Sequence, residues 1–202
     1  KIRRNTVVLT DSVLFRDIVG CDVWTDSTRT SRGFTGEYFP NKSFEGNPAA
    51  VRCDSVISFD WGGGSPDASI PVDGFSVRWT GWVAPADSKR NLKLSVGGDD
   101  GYRVYVNGKV VAGDWGNHSY SRREIQLPVD AGQALNLCIE YFDNISDAKI
   151  DFAMMEFDDD TLTKELKRAD NVVLCTGFDS DMEGEGFDRP FALPEYKVEF
   201  IG

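Results

Sequence analysis

The sequence predicts a mainly β protein, an antiparallel β-sandwich that carries short α/β segments of another domain at both ends. Three observations lead to this prediction. Apolar and polar residues alternate through the middle of the 202-residue chain, as they do in half-buried strands. The pair Asn107-Gly108 separates two such runs, which is typical of a two-residue hairpin turn. Near both ends the alternation gives way to helical spacing and continuous apolar runs, which are typical of α/β domains.

The strands of the sandwich are predicted to follow one another at short intervals. The clearest strand begins at Tyr102, where Tyr102, Val104 and Val106 share one face and Arg103 and Tyr105 share the other. The Asn-Gly pair after this strand accepts positive φ at both positions, which predicts a type I′ turn. Further strands are predicted at 75–83, 91–96, 123–129, 134–142 and 148–155. Several short strands separated by turn signals favour an antiparallel sandwich.

The two ends of the chain have a different character from its middle. Residues 158–161 can cap a helix over 162–169, and the apolar run at 171–177 is typical of a buried strand in a parallel sheet. A β-sandwich that interrupts an α/β domain explains both observations. We therefore predict three segments, which are a host-domain stub and linker at 1–32, the sandwich at 33–157, and a second host-domain stub at 158–202.

Charge and composition exclude several classes of partner. The net charge is −11, so the chain offers no basic patch for nucleic acid or an anionic membrane. No run approaches the ~18 apolar residues of a membrane-spanning helix. The first ten residues, KIRRNTVVLT, lack the long apolar region of a signal peptide, and we expect the chain to be a piece of a longer protein.

The four cysteines are far apart and include no CxxC pair. A zinc site is therefore not expected. All of them lie in or beside apolar runs, which predicts buried free thiols at Cys21, Cys53, Cys138 and Cys175.

The middle of the chain resembles the protective-antigen-type (fourteen-kilodalton) domain, a β-sandwich inserted in many glycosidases, toxins and adhesins. The resemblance covers about 120 residues and keeps the order of the motifs. The matching stretches are GEYFPN (36–41), ISFDWGGGSP (57–66), FSVRWTGWV (75–83), GGDDGYRVYVNGKVV (97–111), DW (114–115) and IEYFDN (139–144).

The tail resembles the second domain of glycoside hydrolase family three, through ELKRADNVVLCTG and EGEGFDRPFALPE. The resemblance implies a parent β-glucosidase that retains configuration at the sugar. It makes Glu185 the general acid/base, with Glu183 as the second candidate, and places Asp188 and Arg189 in the same substrate loop. The nucleophile of that family lies on a barrel domain that these residues do not include, so we expect the chain to be inactive alone.

Two adjacent aspartates form a candidate metal site in the sandwich. In yeast adhesins that this fold resembles, such a pair holds a calcium ion that coordinates sugar hydroxyls, which implies the same role for Asp99 and Asp100. The alternative is an Asx-type turn that leads into the next strand. No cofactor is required by the sequence, and calcium stays open.

Aromatic side chains form a candidate sugar-binding surface, because the C–H face of a pyranose is apolar. Trp79 and Trp82 lie in a strand and are predicted to be mostly buried. The better candidates lie in a loop, DWGNHSY, and are Trp115, Asn117, His118 and Tyr120. The alternative for His118 is an ordinary solvated side chain.

Three functions are compatible with these residues. The sandwich could shape the substrate site of a family-three β-glucosidase, through turn-rich loops such as 65–71. It could instead be an autonomous carbohydrate-binding module, or a purely structural insert. The expected partners are β-linked glucosides or short oligosaccharides and the missing barrel domain, while self-association stays open. The family resemblance implies a periplasmic or secreted location.

Overall fold

The fold is known from a computed structural model, which describes residues 15–169. The described strands are β1 (Phe15–Asp17), β2 (Val23–Trp24), β3 (Phe34–Phe39), β4 (Ala50–Asp54), β5 (Ile57–Gly62), β6 (Ser76–Val83), β7 (Arg90–Asp99), β8 (Tyr102–Val106), β9 (Lys109–Asp114), β10 (Ser121–Val129), β11 (Leu135–Phe142) and β12 (Ala148–Phe157). The described helices are α1 (Val19–Asp22) and α2 (Asp159–Arg168). Neither helix is long and apolar enough to cross a membrane.

The strands form two antiparallel sheets, which confirms the predicted sandwich. One sheet has five strands in the order β1-β12-β7-β10, with β5 also paired to β12. The other has seven strands in the order β4-β3-β6-β11-β8-β9, with β2 also paired to β6. The chain divides into two compact units, residues 1–165 and 166–202, and the described part of the second unit is the end of α2 and the residue after it.

Alternation along each strand directs apolar side chains into the space between the sheets. Trp79, Phe34 and Tyr141 are fully buried there. The prediction that Trp79 is buried is therefore confirmed. Trp82, three positions along the same strand, has the opposite parity and lies on the outer face of the sheet, where it is only partly exposed. Trp82 is thus mostly buried, as predicted, but outside the space between the sheets.

A buried carboxylate lies within this core, at the end of β4. Asp54 accepts hydrogen bonds from the Tyr38 hydroxyl at 2.6 Å, the Trp79 indole at 2.8 Å and the Arg52 guanidinium at 2.8 Å. A side chain at Gly36 would collide with both the Asp54 carboxylate and the Trp79 indole, so glycine is required beside them. Both oxygens of Asp54 are thus occupied, as a buried charge requires.

The structure bears out the predicted turn and helix. Asn107 and Gly108 have φ of +51° and +77°, as a type I′ turn between β8 and β9 requires. Asp158 accepts hydrogen bonds from the Thr161 amide at 2.8 Å and its hydroxyl at 2.7 Å, which caps α2.

Residues 15–24, which the sequence placed in the first host-domain stub, join the sandwich instead. β1 pairs with β12 and β2 pairs with β6, so this segment contributes a strand to each sheet. Ile18, between them, is fully buried and donates its amide to the Met154 carbonyl at 2.8 Å. The pattern did not reveal these strands because each is only two or three residues long.

The cysteines differ from their prediction. Cys21 and Cys53 are exposed and Cys138 is half-buried, although all three are free thiols as expected. Cys53 and Cys138 belong to the outward-facing positions of the seven-stranded sheet, which explains their exposure. Cys175 lies outside the described residues, together with the predicted strand at 171–177.

Candidate functional site

Five loops meet at one end of the sandwich, which we call the loop end. They cover residues 40–49, 63–75, 100–101, 115–120 and 143–147. The strand registers bring them together, because Phe142 lies opposite Ser76 and Asp99 lies opposite Lys149. The loop end therefore contains Asp100 and the aromatic loop at 115–120, and Asp99 lies beside it as the last residue of β7.

Asp100 ties two of these loops to the end of β7. Its carboxylate accepts the His118 amide at 3.2 Å and the Asn144 amide at 2.7 Å, and only 5% of the residue is exposed. Charge-assisted hydrogen bonds to backbone amides hold the loops at 115–120 and 143–147 in a fixed relation. These contacts join residues distant in sequence, so they differ from the local Asx-type turn that the sequence offered as an alternative to metal binding.

Asp99 is the more accessible member of the pair. Its carboxylate accepts the Tyr120 amide at 3.1 Å, and its own carbonyl accepts a hydrogen bond from the Tyr141 hydroxyl. Burial raises the pKa of Asp99, and the charges of Asp100 and Asp147 raise it further against the effect of the Tyr120 amide. Negative charge is therefore concentrated around this residue.

Asp143 is an acidic residue that the sequence analysis did not single out. It is 0% exposed, and one carboxylate oxygen accepts the Gly74 amide at 3.1 Å. The other oxygen has no hydrogen-bond partner among the described residues. Burial raises the pKa of Asp143 to about 7, and the charges of Asp100, Asp73 and Asp99 act in the same direction. Its only signal in the sequence was its place in the motif IEYFDN.

Trp115 provides an exposed aromatic surface at the loop end. Its ring meets Phe142 edge-on at 4.8 Å and lies nearly parallel to Phe44 at 6.3 Å, yet 41% of the residue is exposed. The Arg103 guanidinium lies 3.9 Å from the ring centre. The indole is thus held in place on several sides while part of it stays open to solvent.

The other residues of the 115–120 loop differ in accessibility. Asn117 is exposed, whereas His118 is half-buried. The ring nitrogens of His118 lie 2.8 Å from the Ser119 carbonyl and 3.3 Å from the Asp114 carbonyl, so local contacts hold the ring. The Tyr120 hydroxyl donates to Asp151 at 2.6 Å on the five-stranded sheet. Trp115, Asn117 and Tyr120 are therefore the predicted residues of this loop that are exposed to a ligand.

The predicted calcium ligands match the ion in chemistry but do not form a complete set. Across residues 15–169, no three His, Cys, Asp or Glu side chains are placed to hold a metal. Calcium takes roughly six to eight oxygen ligands. Asp99 and Asp100 supply carboxylate oxygens, and the unpaired oxygen of Asp143 together with the raised pKa values indicates uncompensated negative charge. Asp99 and Asp100 therefore fit a hard cation such as calcium, provided that other groups supply its remaining ligands.

The loop at 65–71 is compact and belongs to the same end. The Ser65 hydroxyl donates to the Ile70 carbonyl at 2.6 Å, and Asp67 accepts the Ser69 amide at 2.8 Å. The candidate catalytic loop, with Glu183, Glu185, Asp188 and Arg189, lies outside the described residues.

Comparison with known proteins gives relatives of two kinds. The anti-sigma-I factor RsgI3 of Acetivibrio thermocellus is 38% identical over 116 residues, which make up 57% of this chain and 18% of that protein. A solved anti-sigma factor domain-containing protein is 32% identical with a TM-score of 0.56, over 61% of this chain and 43% of that one. These two sequence relatives are anti-sigma factors, so they do not support the expected β-glucosidase parent.

A β-glucosidase does share the fold. The enzyme from Kluyveromyces marxianus superimposes with a TM-score of 0.59 at 14% identity, over 75% of this chain and 21% of that one. This chain spans less than half the length of each of these relatives. The sequence model of the PA14 domain matches residues 30–165, which is more than half of the chain. The chain therefore belongs to the PA14 domain family.

Proposed function

We propose that the PA14 domain of this chain is a carbohydrate-binding module and that the loop end is its binding site. The observation that carries the proposal is the position of Trp115, a partly exposed and well-anchored aromatic ring, at the same end as the Asp99-Asp100 pair. Sugars combine an apolar C–H face with hydroxyl groups, and an aromatic ring and carboxylates at one end of the sandwich offer a partner to each.

The residues of the loop end have different roles in this binding. Trp115 packs against the apolar face of a sugar, and Arg103 keeps the indole in one orientation. The Asp99 carboxylate accepts hydrogen bonds from sugar hydroxyls, while the exposed Asn117 amide can both donate and accept. Asp100 acts through the backbone, since it fixes the loops that carry these side chains.

Calcium is part of the proposal. Asp99 and Asp100 would hold the ion, as the resemblance to yeast adhesins implies, and the ion would supply coordination for a pair of sugar hydroxyls. The surplus charge around Asp143 supports this assignment, because a cation would compensate it. The Asp100 carboxylate would then coordinate the ion while it still accepts hydrogen bonds from the two loop amides.

Calorimetric titration of the 202-residue chain with glucose, cellobiose and galactose tests the proposal, with and without calcium. We expect saturable binding that EDTA weakens by at least about tenfold, and the same loss in Asp99→Asn. Asp130→Asn is the matched control, because Asp130 is an exposed aspartate in the loop between β10 and β11. Equal affinity with EDTA would remove calcium from the proposal, and loss of affinity in Trp115→Ala alone would assign binding to the aromatic surface.

A second proposal concerns the longer protein and rests on the sequence of the tail. EGEGFDR at 183–189 supports a family-three β-glucosidase as the parent, exported to the periplasm or the medium, with Glu185 as its general acid/base. Glu185→Gln in the protein that includes the barrel should reduce hydrolysis of cellobiose by about a hundredfold or more. Glu195→Gln, in the same tail, is the control, and near-normal hydrolysis by Glu185→Gln would overturn the assignment.

A further inference from the structure

We propose that the outer face of the seven-stranded sheet carries a second binding site, a groove for a stretch of neutral polysaccharide. We call it the sheet-face groove. Its volume is about 660 Å³, within the usual range of pockets that bind small ligands. Its lining residues are Thr25, Asp26, Ser27, Thr80, Gly81, Trp82, Tyr105, Gly108, Asn136, Leu137, Cys138 and Glu140.

The floor of the groove is a row of side chains that crosses neighbouring strands. Thr80 on β6 lies opposite Cys138 on β11, and Cys138 lies opposite Tyr105 on β8. Residues directly opposite in an antiparallel sheet point to the same face, and the neighbouring Trp79 and Ile139 point into the core. The floor therefore combines a hydroxyl, a thiol and an aromatic ring on a rigid sheet.

The first wall is the turn that follows β2. Asp26 accepts the Thr28 amide at 2.8 Å, which fixes the turn, and the Arg29 guanidinium lies 5.7 Å from the centre of the Trp82 ring. This contact links the turn to Trp82, one of the aromatic side chains that line the groove. It presents the side chains of Thr25 and Ser27 to the groove.

The second wall is the Asn107-Gly108 turn. Asn107 donates its amide to the Asn136 carbonyl at 2.8 Å, and its side chain accepts the Asn136 amide at 2.8 Å. These bonds hold the tip of the hairpin against the start of β11. Both walls are therefore fixed by hydrogen bonds or a cation–π contact before any ligand arrives, which lowers the entropic cost of binding.

The lining of the groove selects a neutral, hydroxyl-rich ligand. It includes two carboxylates, Asp26 and Glu140, and no lysine or arginine. Glu140 is already paired with Arg78 at 2.8 Å and Arg103 at 2.7 Å. A polyanion would find no lysine or arginine in this lining, in a chain of net charge −11.

The remaining lining matches a sugar chain better than a peptide. Trp82 and Tyr105 provide apolar surfaces, and Thr80 and Asn136 provide hydrogen-bonding groups between them. The two rows that carry these residues are one pleat repeat apart, roughly 7 Å along the strands. Such alternation of aromatic and polar groups suits a chain of pyranose rings that lies across the face.

The sheet-face groove is separate from the loop end. It lies at the start of β11, around Asn136 and Cys138, whereas the loop end begins after Phe142 at the end of that strand. None of the candidate calcium ligands lines it. Binding in the groove therefore does not depend on the proposed function of the loop end, and loss of affinity in Trp82→Ala identifies binding at the groove.

Calorimetry of the 202-residue chain in EDTA tests the inference, with cellohexaose, xylohexaose and mannohexaose as probes. We expect saturable binding of at least one hexasaccharide, weakened by about tenfold or more in Trp82→Ala. Trp82→Phe should keep most of the affinity, which guards against a folding defect in the alanine variant. Glu124→Gln, at an exposed position on β10 of the five-stranded sheet, is the control and should bind the hexasaccharide normally.

Two outcomes would overturn the inference. One is the absence of saturable binding to all three hexasaccharides up to about 10 mM in EDTA. The other is affinity that stays unchanged in Trp82→Ala and in Tyr105→Ala. A tetralysine peptide is included as a rival probe, because the two carboxylates could attract a cation. Binding of tetralysine in place of the sugars would assign the groove to a basic peptide.

Discussion

Asp54 and Asp143 are both aspartates removed from solvent, but their surroundings are opposite. Asp54 is surrounded by three donors, from Tyr38, Trp79 and Arg52, which satisfy both of its oxygens. Asp143 has one amide donor, one unpaired oxygen and three acidic neighbours. A fully paired carboxylate holds a core together, whereas an underpaired one among like charges is poised to respond to protons or cations. The contrast distinguishes the structural end of the molecule from its candidate binding end.

The largest expected effect comes from breaking the paired site. Asp54→Ala leaves the buried Tyr38 hydroxyl and Trp79 indole without their acceptor, whereas Arg52 keeps its hydrogen bonds to the Pro66 carbonyl and the Tyr38 oxygen. Unpaired buried donors are costly, and the free energy of unfolding should fall by about 4 kcal/mol. Urea denaturation followed by tryptophan fluorescence measures this. Asp54→Asn should lose less, since it keeps one acceptor oxygen, and an equal loss would contradict the hydrogen-bonding account.

The next effect is a pH dependence at the underpaired site. The pKa of Asp143 is about 7 in the fold, above its value in the unfolded chain, so the folded state binds the proton more tightly. Its contribution to stability is complete below about pH 4 and is lost as the pH rises to about 7. The difference in unfolding free energy between the native chain and Asp143→Asn should therefore change by about 3 kcal/mol over this window. Urea titrations of both at pH 5, 6 and 7.5 measure it, and a constant difference would contradict the assignment.

Calcium should stabilise the loop end around Asp143 and leave the surroundings of Asp54 unaffected. At pH 7.5, where much of Asp143 is ionised, saturating calcium should raise the Tm by about 5 °C, because it binds only the folded chain. Thermal unfolding followed by circular dichroism measures the shift. It should disappear in Asp99→Asn, whereas Asp130→Asn should keep it. A shift of the same size in both variants would place the ion elsewhere.

The smallest effect on stability is expected at Trp115, where the effect on binding is larger. Trp115→Ala removes a side chain that is already 41% exposed, so the free energy of unfolding should fall by only about 1 kcal/mol. Affinity for the sugar that binds at the loop end should fall by about tenfold. Parallel urea and calorimetric measurements give both values. A large loss of stability with unchanged affinity would make Trp115 part of the core instead.

Strand alternation accounts for how much of the fold was predictable. It assigned the faces of β8 correctly, and the Asn107-Gly108 pair identified the turn after it. The same rule, applied strictly, would have separated Trp79 from Trp82, because residues three apart in a strand face opposite sides. Treating both tryptophans as core residues hid the outer face of the sheet and, with it, the sheet-face groove.

The candidate site was predictable only in part. The adjacent acids Asp99 and Asp100 and the aromatic loop around Trp115 stand out in the sequence, and the fold brings them to one end. Asp143 could not be recognised in the same way, because its burial and its unpaired oxygen depend on strands distant in sequence. For the same reason Asp54 gave no local sign of its three donors.

The pairing of β1 with β12 has a mechanical consequence. Phe15 lies opposite Phe157 with their rings 5.2 Å apart, so the chain enters and leaves the sandwich on neighbouring antiparallel strands. Tension applied through the flanking segments would open the three residue pairs between these strands one at a time, like a zipper, before it reached the long strand pairs of the core. A module connected in this way can be spliced into a loop of another protein, and pulling on that protein would loosen its attachment before disturbing its binding surfaces.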